Sequence, residues 1–151
     1  MPLAVTAYAA GRTGSDPISP LKATARDRKP AISLSQEDQT LLNELQSRDR
    51  EVRAHERAHK VAGGRHAGAI SLDYQKGPDG KRYAVAGEVT IDASPVAGDP
   101  EETVAKMEII KSAALAPAHP SAQDRAVAQA AQTQIVEAEA KIRKQDKERL
   151  E

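Results

Sequence analysis

Glu51-Val52-Arg53-Ala54-His55-Glu56-Arg57-Ala58-His59 is the stretch on which the reading of this chain turns. It contains an H-E-x-x-H pentapeptide, His55 to His59. Side chains four residues apart on a helix stand on one face, a turn apart, so the two imidazoles can grip a single zinc ion. The glutamate after the first histidine is then placed to take a proton from zinc-activated water. The pentapeptide is short, and its flanks decide what it means.

Upstream, Ser35 followed three residues later by Asp38 spells a capping box, and Glu37 adds an acid to the first turn. The helix opened there can run to about Ala62, where Gly63-Gly64 supplies a stop. At about 100° per residue, Leu41, Leu45, Val52, His55 and His59 fall within roughly a quarter-turn of one another. Leu42 widens that stripe, Arg48 intrudes on it and Glu56 sits beside it. The histidines therefore continue the core-facing stripe, as a metal site on a buried helix face requires. A single histidine there would read as a hydrogen-bonded core residue. Two at i and i+4, with a glutamate between them, favour a metal.

Downstream the period changes. Ile70, Leu72 and Tyr74 alternate with Ser71 and Asp73, Gly77-Pro78-Asp79-Gly80 signals a turn, and Tyr83, Val85, Val89 and Ile91 alternate with Ala84, Ala86, Glu88 and Thr90. This predicts a β-hairpin, with Gly87 marking a bulge or a close backbone approach. Glu88 falls on the face opposite Tyr83 and Val85, beside the small Ala84 and Ala86, where the motif helix could come near. Asp99-Pro100-Glu101-Glu102 then opens a helix with Val104, Met107, Ile110 and Ala114 inward, and Pro117 and Pro120 end it. Ser121 and Asp124 repeat the capping box and start a last helix, whose stripe includes Val127, Ala131, Ile135, Ala138 and Ile142. Residues 1–33 read as a disordered tail, punctuated by Gly and Pro and carrying a P-x-x-P at Pro17 to Pro20.

Composition narrows the function classes. The 22 basic and 22 acidic residues balance, which removes the electrostatic case for nucleic acid or an anionic membrane. Three tyrosines, with no Phe or Trp, offer few stacking platforms for single strands. The core must be aliphatic and small, so a bound metal could add stability. No cysteine is present, which excludes disulfides and thiolate zinc sites. With no span-length apolar run and no basic residue ahead of the N-terminal apolar ones, a cytoplasmic location is expected.

A catalytic zinc needs a third protein ligand and an open position for water. Glu88 is the first choice. His66, one residue late for the H-E-x-x-H-x-x-G-x-x-H spacing, and Asp92, which requires another strand register, are the alternatives, and His119 sits in a Pro-rich connector. Tyr83, Tyr74 and Arg82 are the candidate oxyanion donors.

These residues resemble a known family. The Glu51 to His59 stretch, Gly63-Gly64, the run from Tyr74 to Val89, Ile91-Asp92, Ser94-Pro95, Gly98-Asp99-Pro100, Ala114 to Pro117 and Ser121-Ala122-Gln123-Asp124 are similar to the SprA-related family of bacterial metalloprotease-like proteins. The resemblance covers about residues 35–142. It implies a zinc-peptidase-like domain with His55 and His59 as ligands and Glu56 as the catalytic residue. Gly87-Glu88-Val89 belongs to the pattern, which raises Glu88 as a ligand. Familiar zincins with a glutamate third ligand carry it on a downstream helix, whereas Glu88 reads as strand.

The resulting expectation is an α+β domain over residues 34–151: a long motif-bearing helix, a β-hairpin and two C-terminal helices. Its function is expected to be zinc-dependent hydrolysis of a peptide or protein substrate. The alternative is a non-catalytic, metal-stabilised interaction or scaffold domain.

Overall fold

A computed structural model describes residues 33–151; the tail expected upstream, with its P-x-x-P, lies outside them but for Ser33. The elements follow as α1 (Gln36–Gly63), a 3-10 turn (Gly64–His66), β1 (Ala67–Lys76), β2 (Arg82–Ile91), α2 (Pro100–Ala114) and α3 (Ala122–Leu150). Three helices and a two-stranded antiparallel sheet make this an α+β fold, as the sequence predicts. None of these helices is long and apolar enough to cross a membrane.

Local signals set the boundaries. Ser35 caps α1 by accepting from the Asp38 amide, and the Asp38 carboxylate accepts from the Ser35 amide in return. Gly64 ends the helix at φ 52°, a conformation that favours glycine. The buried positions of α1 are Leu45, Val52, Glu56, His59 and Gly63. They repeat at intervals of seven, four, three and four residues, and Leu41, expected in the stripe, is 40% exposed. The centre of the buried stripe is therefore Glu56, a carboxylate carried inward by the helix.

In the hairpin turn, the Gly77 amide donates to the Lys81 carbonyl at 2.8 Å, and Asp79 accepts from the Tyr83 hydroxyl at 2.6 Å. The strand register jumps between Asp73↔Ala86 and Tyr74↔Ala84, leaving Val85 as the extra residue of a bulge. The bulge releases backbone groups of β2 to α1. Asp49 accepts from the Ala84 amide at 2.7 Å, and Arg48 Nε donates to the Val85 carbonyl at 3.0 Å. The Asp49 carboxyl is held below its usual range, chiefly by that amide. These bonds pin the motif helix to the strand.

Gly87 allows the close approach. A Cβ there would stand 2.8 Å from Glu56 Cγ, 2.7 Å from Leu72 Cδ2 and 3.1 Å from the Ser71 carbonyl oxygen. The backbone oxygen cannot swing away, so Gly87→Ala should cost about 1–3 kcal/mol by overpacking. Urea unfolding checks this; an unchanged midpoint would show that the hairpin and helix separate more easily than described.

Asp99 caps α2 by accepting from the Glu102 amide at 2.8 Å, with Pro100 at the first helical position. Helices α2 and α3 pack through Met107, Ile110, Ala131 and Ile135, onto which Ile91, Ala93, Val104 and Val127 close. The end of β2 is strapped to this pair. Lys106 Nζ donates to Asp92 at 2.7 Å, and Gln134 Nε2 donates to the Ala93 carbonyl at 3.0 Å. The seven-residue turn between α2 and α3 then delivers the start of α3 beside the motif helix.

Candidate metal centre

His59 is held first by its backbone surroundings. Its Nδ1 stands 2.9 Å from the Ala113 carbonyl oxygen, which only accepts, so Nδ1 carries the hydrogen. In the neutral ring Nε2 then presents a lone pair, and it faces Asp124 Oδ1 at 3.2 Å. His55, half-buried one turn earlier, places Nε2 3.2 Å from Asp124 Oδ2. The imidazole centroids are 4.8 Å apart and nearly perpendicular. The ligand atoms of His55, His59 and Asp124 all lie within 4.8 Å of one another. Two imidazole nitrogens and one carboxylate form a donor set that suits zinc, and the outward bond from His59 Nδ1 is the kind of support such ligands use. A lone pair facing a carboxylate oxygen is satisfied by a cation or a proton between them. The donor set therefore fits a metal ion.

Asp124 is the residue that sequence reasoning missed as a candidate ligand. It is the third residue of α3, read above only as half of a capping box. It performs that role: the Ser121 amide donates to Asp124 Oδ2 at 2.6 Å, and Ser121 Oγ accepts from the Asp124 amide. Burial pushes its carboxyl up, but the bonds from Ser121 and the two neighbouring imidazoles outweigh this and hold it below its usual range. Asp124 thus stays ionised and oriented. The available signal was its place in the stretch Ser121 to Asp124 that carried the resemblance, and its position on a downstream helix.

Glu88, expected as the third ligand, is not brought into this cluster. The bulge is the reason. Tyr83 and Ala84 are both buried, after which Val85, Gly87, Val89 and Ile91 are partly covered, while Ala86, Glu88 and Thr90 are exposed. The extra residue reverses the parity expected from alternation, and Glu88 ends at the rim of the groove beside the site. The other candidates are also engaged elsewhere or apart. Asp92 pairs with Lys106, which together with Ser94 holds its carboxyl far below the usual range. His66 accepts from Arg65 Nε at 3.3 Å, and His119 lies exposed on the groove wall.

The groove measures about 1170 Å³ and is walled by α1, the second half of β2 and the α2–α3 turn. Glu56 lines it while only 5% exposed, and among the described residues no hydrogen bond or ion pair engages its carboxylate. Burial pushes the Glu56 carboxyl up, His55 and His59 pull it back, and Asp124 and Glu88 push it up again; the net shift is upward. A carboxylate moved toward neutrality is a better proton acceptor at working pH. Tyr83, Tyr74 and Arg82, expected as oxyanion donors, do not line the groove. The Tyr83 hydroxyl is spent on Asp79, and Tyr74 lies under Arg82 at 4.6 Å to its centroid.

Neither the curated proteins nor the solved structures yield a match. The family comparison does: the SprA-related model matches residues 22–151, which include every residue of the site described above, and the chain belongs to the SprA-related family.

Proposed function

We propose that this protein is a zinc-dependent peptide hydrolase, with His55, His59 and Asp124 holding the metal and Glu56 serving as general base. One observation carries the reading: three ionisable ligand side chains converge within 4.8 Å beside Glu56, a largely buried residue whose carboxylate is engaged by no other described residue and which lines an open groove. A structural zinc site is closed by four protein ligands, whereas three ligands beside a groove suit a catalytic one. When bound, the ion supplies Lewis acidity toward a carbonyl and toward water.

The chain's own residues do the rest. Ala113, through its carbonyl, fixes the His59 ring so that Nε2 faces the site. Ser121 fixes the Asp124 carboxylate in the same way. Glu56 accepts the proton of the attacking water and returns it to the leaving amine, for which its raised affinity for protons is apt. Gly87 keeps β2 against Glu56.

Metal content by mass spectrometry, on protein purified without added zinc, tests the reading. One tightly held zinc per chain is expected, absent from the His55→Ala/His59→Ala variant, together with zinc-dependent cleavage in a peptide library. A protein that stays metal-free at micromolar zinc would overturn it.

A further inference from the structure

Six consecutive residues of β2, Ala86 to Ile91, line the groove. A pleated strand offering only a face would contribute every second residue. The groove therefore runs along an edge of the strand, and β1 is the only strand paired with β2 among the described residues. That edge is closed at its start, where Asp49 and Arg48 of α1 take the Ala84 amide and Val85 carbonyl released by the bulge. An extended chain laid on it must stop at Arg48.

Arg48 is an unusual stop. It is the only Lys or Arg among the described groove-lining residues, whose other formally charged members are Glu51, Glu56, Glu88 and Asp124. Its Nε is fixed on the Val85 carbonyl at 3.0 Å. No further hydrogen bond or ion pair among the described residues occupies its two Nη groups. A guanidinium anchored through Nε and open at its Nη fork suits a carboxylate, while the acids around it disfavour a carboxylate elsewhere on the wall. A strand added antiparallel to β2 brings its C-terminal end to Ala86, where Arg48 sits. Arg48 and His55 are seven residues apart on one face of α1, a rise of about 10.5 Å. An extended peptide covers that distance in about three residues.

We propose that the groove receives the C-terminal end of an extended peptide, laid antiparallel along β2 with its terminal carboxylate on Arg48, so that the site releases short C-terminal fragments. The release rests on the hydrolase reading above; the carboxylate recognition does not. In the release step the amide C–N bond breaks and one water is consumed. Its hydroxyl goes to the acyl carbon and its remaining hydrogen to the leaving amine.

The test uses the full chain loaded with zinc and a library of dye-labelled peptides prepared in pairs, one with a free C-terminal acid and one with a C-terminal amide. The acids should be cut with kcat/KM about tenfold or more above the amides, as expected for a charge-assisted bond. Arg48→Gln, which keeps a donor for the Val85 carbonyl, should bring the pair to equality, and Arg48→Lys should restore part of the difference. Fluorescence anisotropy on Glu56→Gln protein, read with the same pairs, separates the two ideas. Preference for the acid in binding, lost in Arg48→Gln, supports carboxylate recognition even if nothing is cleaved. Equal binding of acid and amide, or a preference that survives Arg48→Gln, overturns it.

Discussion

Glu56→Gln should lower zinc-dependent peptide cleavage by about 10²- to 10⁴-fold, the range for loss of a general base, while bound zinc is retained. The amide has the size of the carboxylate and no capacity to accept and return a proton. Because Glu56 is buried, the same substitution has a second signature in metal-free protein. Its carboxyl is raised above the ordinary value of 4.5, first by burial, so the folded state resists its ionisation more than the unfolded state does. For a raised acid, stability is intact below the unfolded value and falls as pH rises through the folded one. Glutamine removes that fall. In urea melts the variant should therefore gain over wild type above about pH 5 and lose the gain below about pH 4. Full cleavage by Glu56→Gln would remove Glu56 from the mechanism. Equal stability of wild type and variant at every pH would mean the carboxylate is solvated in the open groove.

Asp124→Asn and Glu88→Gln should part company in zinc affinity. Asn retains an oxygen for the Ser121 amide and leaves the Ser121 cap on the Asp124 amide intact, so the start of α3 should hold. It removes the negative charge that faces both imidazoles at 3.2 Å. Loss of a ligand charge should weaken zinc by at least the 10- to 100-fold typical of even outer-shell changes, roughly. Glu88, exposed at the rim, should change it by less than about twofold when neutralised, as screened surface charges do. Competition with a chromophoric chelator measures both. Weak zinc binding in Glu88→Gln with normal binding in Asp124→Asn would return the third-ligand role to the strand. Zinc should also stabilise wild type, by about 2.7 kcal/mol at a hundredfold excess over its Kd, and Asp124→Asn should lose most of that at equal zinc.

These expectations depend on parts of the molecule that were legible in the chain to different degrees. The caps at Ser35, Asp99 and Ser121, the turn at Gly77 to Gly80 and the glycine stop at Gly64 are written in neighbouring residues, because each rests on hydrogen bonds spanning a few positions. The pairing of His55 and His59 on one face follows from helical period alone, and so does the presence of Glu56 beside them. Strand parity was less secure. One extra residue at Val85 reverses which side chains face the helix, and that residue is specified by Asp49 and Arg48, some 35 positions away.

The sequence by itself determined the helices, the hairpin and two of the candidate metal ligands with the glutamate beside them. Only the tertiary structure decided which carboxylate stands between the imidazoles. His55 and Asp124 are 69 residues apart, and nothing local in Ser121 to Asp124 distinguishes a capping carboxylate from a ligand. Their meeting is set by how α2 and α3 pack through Met107, Ile110, Ala131 and Ile135 and where the turn between them ends. That is a property of core packing, which sums many weak contacts from the whole chain, and no short pattern encodes it.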